Sequence, residues 1–503
     1  MEVLSYLLIP IQQPMLIVMT AIGVFAGIYV GAIPGLSATM AVSLLVSFTY
    51  GWDTYTALAL MLGIFVGTVY GGSRSAILLN IPGAPSAVAT ALDGYPMAQK
   101  GRAGEAMGIA TTQSVIGTVL GIIVLAVAAP VVAKFAVNFS SVDYLLLAVM
   151  GMMMVGSLNC KSIFRGLLSA AVGLLIGTVG MDSMTAVRRF TFGISYLNSG
   201  VSFVVAMIGL FGVSEALIQI TQLDVTAVKQ KIDKIVPSLS TIVKYVPLTI
   251  RSSVVGVIVG ALPGAGGDIA ALLTYDQAKR TVKNPEVPFG EGAVEGLVAP
   301  ESANNAAIGG AFIPMLTLGI PGDAVTAVLL GALEIHGLQP GPNLMTNTPD
   351  LFYLIVACLL IASVFLVIFG LTGIKIFTKI VEIPKAILMP LIIILSVVGS
   401  FALRKSLFDI FWMLGFGILG YFMKKYEYPV APAVLGIILC NLLENNYRRG
   451  ITLKKSLGGL IGSIFTEPVA LILFLVIVVM FATQTKTYKN WKAKRDAAKS
   501  AKA

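Results

Sequence analysis

The sequence predicts an all-α, polytopic transmembrane protein made of two inverted structural repeats, each with a broken or re-entrant helical hairpin. Three observations predict it. Of 503 residues, 57% are hydrophobic and only 12% charged, about half the charged share of an ordinary soluble domain. A lipid core needs roughly 20 apolar residues per helical crossing, and about eleven or twelve segments of the chain come near that length. Apolar segments interrupted by Pro-Gly recur at corresponding places in the two halves. This composition excludes a soluble enzyme of one or two domains, a disordered chain and a coiled coil.

The apolar segments run at about 14–30, 38–50, 54–70, 106–130, 142–159, 163–181 and 201–221. A polar, basic stretch, 222–246, then divides the chain and serves as the linker. Further segments run at about 247–262, 293–314, 350–372, 384–402, 406–423, 429–443 and 467–483, several of them too short or too polar to cross alone. Residues 1–221 thus form the first repeat and 247–446 the second. Residues 447–485 add a C-terminal transmembrane segment, and 486–503 a basic cytoplasmic tail. The net charge of +10 is spread over short loops and this tail, as in flanks beside anionic headgroups, and does not point to nucleic acid. No Lys or Arg precedes Arg74, so the positive-inside tendency places the N-terminus outside and the C-terminus in the cytoplasm. The N-terminus also lacks the basic region of a signal peptide, so the first apolar segment reads as retained. Cys160, Cys358 and Cys440 lie too far apart for a metal spacing or a disulfide framework.

The duplication is read from ordered matches. Gly31-Ala-Ile-Pro-Gly35 returns 229 positions later as Gly260-Ala-Leu-Pro-Gly264. Gly71-Gly72 and Ile81-Pro82-Gly83 return as Gly309-Gly310 and Ile320-Pro321-Gly322, at offsets of 238 and 239. Lys161-Ser-Ile-Phe164 aligns with Lys405-Ser-Leu-Phe408, and Gly173 with Gly417, both at 244. The growing offset assigns a small insertion to Lys279–Gly290. Proline removes a backbone donor and glycine weakens a helix. In lipid such breaks are tolerated only where they line a cavity or are buried in protein. Matched breaks in two halves are therefore the sequence signature of a transporter's binding site, where half-helix N-termini attract anions.

The first hairpin has its tip at Ile81–Ser86, with Pro85 suited to the first turn of the returning helix. The second has its tip at Gly319-Ile-Pro-Gly-Asp323, with Thr326 on the returning helix. Candidate substrate-binding positions are Pro34, Gly35 and Ser37 at the first break and Asn80, Pro82, Gly83 and Ser86 at the first tip. Gly264 and Gly266 at the second break, with Pro321 and Gly322 at the second tip, complete the set. Ala299-Pro-Glu-Ser-Ala-Asn-Asn305 is the most polar patch in membrane-like sequence, and Glu301 and Asn305, four apart, share a helix face. Glu301, Asn304 and Asn305, with Asp323, are the candidate cation-binding residues. Their side-chain oxygens suit a proton or a hard monovalent cation such as sodium, and a hydrogen-bonded packing cluster is the alternative. Asp323 fits a helix cap or a cation ligand equally, as does Asp268. Arg74 fits either a bidentate contact to a substrate carboxylate or an interfacial, snorkelling arginine. His336, the single histidine, is given no role.

No phosphate loop and no His-Glu-x-x-His occurs, and Asp268 and Asp276 lack the Gly-x-Gly-Asp of an intramembrane protease, so the chain is not read as an enzyme. A channel also uses broken helices, but polar content confined to one half fits a coupled carrier better.

The motifs Gly31–Gly35, Asn80-Ile-Pro-Gly-Ala-Pro-Ser86, Asp93-Gly-Tyr-Pro-Met97, Gly260–Gly264, Ala299–Asn305 and Gly319–Asp323 resemble the large membrane subunit of the tripartite tricarboxylate transporters, the TctA family. The resemblance covers nearly the whole chain. It implies a multi-pass permease of the bacterial inner membrane that imports small organic anions, citrate and other di- or tricarboxylates above all. It implies a sodium ion or proton as coupling ion and no further cofactor. It also implies two partners, a small TctB-like membrane subunit and a TctC-like periplasmic solute-binding protein.

Overall fold

A computed structural model describes residues 2–33, 35–158, 163–182, 184–221, 235–373 and 385–484. The fold is all-α, with one short antiparallel ribbon pairing Gly180–Met181 with Arg188–Arg189. The first repeat supplies α1 (Pro14–Ala32), α2 (Ala38–Phe48), α3 (Thr54–Leu79), α4 (Ala87–Gln99), α5 (Ala103–Ala136), α6 (Ser141–Leu158), α7 (Ile163–Gly177) and α8 (Phe203–Ile220). The second repeats that order as α9 (Leu239–Gly260), α10 (Gly266–Thr281), α11 (Glu295–Leu318), α12 (Ala324–Ile335), α13 (Pro349–Thr372), α14 (Lys385–Arg404), α15 (Leu407–Lys425) and α16 (Val430–Lys454). Two more helices, α17 (Leu457–Thr466) and α18 (Pro468–Gln484), follow and meet at a 91° bend.

Among the described residues eight helices are long and apolar enough to cross a membrane, or nine if the bent pair is one span, fewer than the eleven or twelve expected. The difference has a physical reason. α2 and α12 are apolar but only 11 and 12 residues long. α11 has the length yet carries Glu295, Glu301 and two asparagines, and is instead buried on every side from Glu295 to Thr317. A helix covered all round belongs to the interior of the bundle.

The chain divides into two compact units. Unit 1 comprises residues 1–137 and 202–422, and unit 2 comprises 138–201 and 423–503. In unit 1, α1 packs on α3 through Gly23, Gly27 and Gly31 against Gly63, Gly67 and Gly71. A Cβ at Gly27 would lie 2.4 Å from the Ile64 carbonyl oxygen, and one at Gly67 2.4 Å from that of Val24. The second repeat builds the same seam between α9 and α11. A Cβ at Gly256 would lie 2.2 Å from the Ala303 oxygen, and one at Gly260 2.4 Å from that of Ala307. Backbones this close gain dispersion contact that larger side chains would prevent, the usual basis of helix association in lipid. α5 closes on the other side of α11 through Gly117 and Gly121, against Ser302 and Ala306.

The last three helices of each repeat exchange partners. In unit 1, α8 packs on α14 and α15, with Gly209 against Met413 and Gly417 against Val213. In unit 2, α16 packs on α6 and α7, with Gly173 against Ala433 and Gly436 against Ala170. α8 carries a π-helical segment, Ile208–Val213, at this contact.

Candidate functional site

Each repeat places its break and its hairpin tip side by side. The breaks that follow α1 and α9 contain Gly35 and Gly264, with φ of 92° and 79°, a left-handed backbone that glycine adopts freely. α3 ends at Asn80 (φ 55°) and α11 at Gly319 (φ 71°), 239 positions apart. Ile81 N then donates to Ser75 O and Ile320 N to Pro314 O, at 3.4 and 3.3 Å, so both ends satisfy their carbonyls in one motif. From there Gly83 turns back to donate to Gly72 O at 3.3 Å, and Gly322 O accepts from Gly264 N at 2.7 Å. A Cβ at Gly83 would stand 2.2 Å from the Gly31 oxygen, and one at Gly322 2.6 Å from that of Gly260. The two tips are thus built alike.

The helices that leave the tips start differently. Asp323 caps α12 in a capping box, accepting from Thr326 N at 2.7 Å while its own amide donates to Thr326 Oγ1. α4 is capped from elsewhere in the fold: the buried Ser86 donates its amide to Asp268 Oδ1 of α10, at 2.9 Å. The start of α10 lies against the second tip as well, since a Cβ at Gly266 would be 3.1 Å from that of Asp323. Asn304 lies on the same side, its Oδ1 2.2 Å from where a Cβ on Gly267 would be. Ser86, Gly264, Gly266, Asn304, Gly322 and Asp323 therefore gather around Asp268.

The other two candidate cation-binding residues form a separate cluster. Glu301 is 1% exposed. Its Oε1 accepts from Ser73 of α3 at 2.6 Å and from Thr90 of α4, and its Oε2 accepts from Ser114 of α5 at 2.8 Å. Asn305 Nδ2 donates to Ser114 Oγ at 2.9 Å and to Glu301 O at 3.0 Å, while its Oδ1 is buried without a hydrogen-bond partner. One carboxylate thus joins four helices through neutral hydroxyls. An uncompensated buried charge is costly in such a place, and these oxygens, with the unmet Asn305 acceptor, fit a proton or a small cation. Among the described residues no group of three or more His, Cys, Asp or Glu gathers as a metal site.

The remaining candidates lie apart. Pro34 is outside the described residues. Gly35 lies beneath the Gln219 side chain of α8, and Ser37 caps α2 by accepting from Met40 N at 3.2 Å. Asn80 is exposed, Pro82 half-buried and Pro321 buried. Arg74 is 1% exposed and donates to the Tyr70 hydroxyl at 3.1 Å and to the Gly370 carbonyl, so it does not snorkel at an interface. His336 ends α12 beside Thr54.

Two polar centres carry no signal in residue type alone. Asp93 is fully buried. Its Oδ1 accepts from the amides of Gly290, Gly292 and Ala293 at 2.8–2.9 Å, and its Oδ2 from the Tyr275 hydroxyl at 2.9 Å. It fixes the loop that feeds α11, and the Asp93-Gly-Tyr-Pro motif is its trace in the sequence. In unit 2, Asp182 accepts from the amides of Met184 and Thr185, both at 2.8 Å, and pairs with Arg189 and Arg448, which also pair with Glu444. The Thr185 amide, with Met184 and Arg448 behind it, holds the Asp182 carboxyl down at about 2.

The Tripartite tricarboxylate transporter TctA family matches residues 17–435. An uncharacterized 52.8 kDa protein in the TAR-I ttuC' 3' region of Agrobacterium vitis is 38% identical over 443 residues, 88% of each chain. An uncharacterized protein in the TAR-II ttuC' 3' region of the same organism is 40% identical over 200 residues, 40% of this chain and 82% of that one. No solved structure matches significantly.

Proposed function

The chain belongs to the tripartite tricarboxylate transporter TctA family, and from that premise we propose that it is the permease subunit through which small organic anions are imported. Its substrates are tricarboxylates or related di- and monocarboxylates, and a sodium or proton gradient drives them through the bacterial inner membrane. A small membrane subunit and a periplasmic solute-binding protein complete the assembly. The two repeats, inverted relative to the membrane, alternate access to a site where the hairpin tips meet.

One observation carries the site assignment, the Asp268 carboxylate on the Ser86 amide at 2.9 Å. A helix N-terminus favours an anion, and here the protein supplies one of its own. A substrate carboxylate takes that place by displacing Asp268, which then faces Asp323 and Asn304 as a ligand for the coupling cation. Glu301 and Asn305 answer the same cation or proton through α3, α4 and α5, so that loading is felt on both repeats.

Asp268→Asn tests this directly. The amide oxygen still accepts from Ser86, but a neutral acceptor holds the bond about half as strongly. Saturable uptake by the reconstituted assembly should show KM falling about three- to tenfold, a change of roughly 1 kcal/mol, with cation dependence weakened. An unchanged KM and unchanged cation dependence, at normal abundance, contradict the assignment.

A further inference from the structure

At one end of unit 1 the N-terminal helix Glu2–Leu7, the last turns of α5 and the start of α13 enclose a cleft of about 330 Å³. Ala133, Met345 and Phe352 supply apolar walls, Tyr6 and Tyr353 add rings 6.1 Å apart, and Lys134 is the one charged residue among the described residues of the lining. Pro349, also in the lining, adjoins Asp350, whose carboxylate accepts from the Tyr55 hydroxyl at the start of α3. That polar contact marks the rim of the bundle, where tyrosine is enriched at the boundary between lipid and water. α5, which lines the cleft, and α1, which follows the N-terminal helix in the chain, expose apolar stripes along their length. Met15, Val18, Ile22 and Phe25 do so on α1, and Val127, Val131 and Phe135 on α5. Leu4 and Ile11 of the N-terminal segment are exposed too, as expected of a segment that lies in the interface.

We propose that this cleft binds an anionic phospholipid, its phosphate on Lys134 and its acyl chain between Phe352, Met345 and the N-terminal helix. The inference does not depend on the transport reading. The charge complementarity of Lys134 selects an anionic headgroup, and the exposed stripes on α1 and α5 place the opening among lipids. The bound lipid would fasten the N-terminal helix to α5 and α13.

The purified full-length chain, delipidated in detergent, would be titrated with equal amounts of phosphatidylglycerol and phosphatidylcholine of the same acyl chains and weighed by native mass spectrometry. One basic residue near a headgroup contributes about 1 kcal/mol, so the phosphatidylglycerol adduct should exceed the phosphatidylcholine adduct about fivefold. Lys134→Gln should bring that ratio to about one and keep both adducts. Ala133→Trp, and separately Met345→Trp on the facing segment, should fill the cleft and remove both adducts at unchanged melting temperature, so either variant suffices if the other fails to fold. Equal adducts in the unaltered chain would overturn the proposal. So would adducts that survive a folded tryptophan variant, or loss of a dimer mass instead of a lipid mass.

Discussion

Asp93 shows how much one side chain can fix. Three backbone amides and a tyrosine hydroxyl converge on its carboxylate inside unit 1, and hydrogen bonds to a charged group contribute roughly 1.5–3 kcal/mol each. Asp93→Asn swaps one charged acceptor for a donor that faces donors, so thermal unfolding in detergent should show a loss of about 3 kcal/mol or more. Asp182 gives a pH signature in unit 2. Its folded value of about 2 lies below the ordinary aspartate range, so its contribution is full above the unfolded value and is lost as pH falls through about 2. Melting curves between pH 5 and 2 should converge for the unaltered chain and Asp182→Asn, the unaltered chain being the more stable at the upper end. Asn305 is tested by transport. Asn305→Ala should lower cation-dependent uptake far more than protein abundance, and an equal fall in both would indicate a packing role. The sequence made Glu301, Asn304 and Asn305 visible because polar groups stand out in apolar surroundings. It could not say that Asn304 turns towards Gly267 while Glu301 and Asn305 turn towards Ser73, Thr90 and Ser114. The facing residues come from elements about 190–230 positions away in the chain, and one sequence holds no register between them.

At the scale of elements, the glycines divide into those a methyl group would displace and those it would not. Gly27→Ala forces a carbon to 2.4 Å from the Ile64 oxygen and should cost about 1–3 kcal/mol by overpacking the α1–α3 seam. Gly415→Ala on α15 meets nothing within 4 Å and should be neutral or stabilise by about 0.5–1 kcal/mol through helix propensity. Melting the two variants side by side checks the contrast. Both hairpin tips were legible from Pro-Gly, since those residues break helices by known backbone chemistry. The paired left-handed ends at Asn80 and Gly319 confirm that the two breaks share one geometry. The π-helical segment of α8 was not legible: it lies where Gly209 meets Met413, on a helix some 200 residues away, and local residue types carry no trace of that contact. The number of spanning helices is lower than hydropathy suggests for a related reason. Hydropathy measures transfer to lipid, and α11 is enclosed by protein along nearly all its length.

Across the chain, the elements matched by the sequence offset share backbone geometry at the α1–α3 and α9–α11 seams and at the helix ends Asn80 and Gly319. Contact also regroups the helices, as unit 1 joins α8 of the first repeat with α14 and α15 of the second, and unit 2 joins α16 with α6 and α7. A chain offset records which elements correspond and not which ones touch. Inside unit 1, Glu301 and Asp268 bond second-repeat helices to α3, α4 and α5, and the proposed carrier would use that link to bring both repeats to one substrate. The most direct test is uptake of labelled tri-, di- and monocarboxylates into proteoliposomes holding this chain and its small membrane partner. It is run with and without the solute-binding protein and an inward sodium or proton gradient. Saturable uptake of at least one carboxylate, requiring both the binding protein and one of the gradients, is the expected result. Flux that ignores the binding protein and both gradients would contradict it and identify a pore.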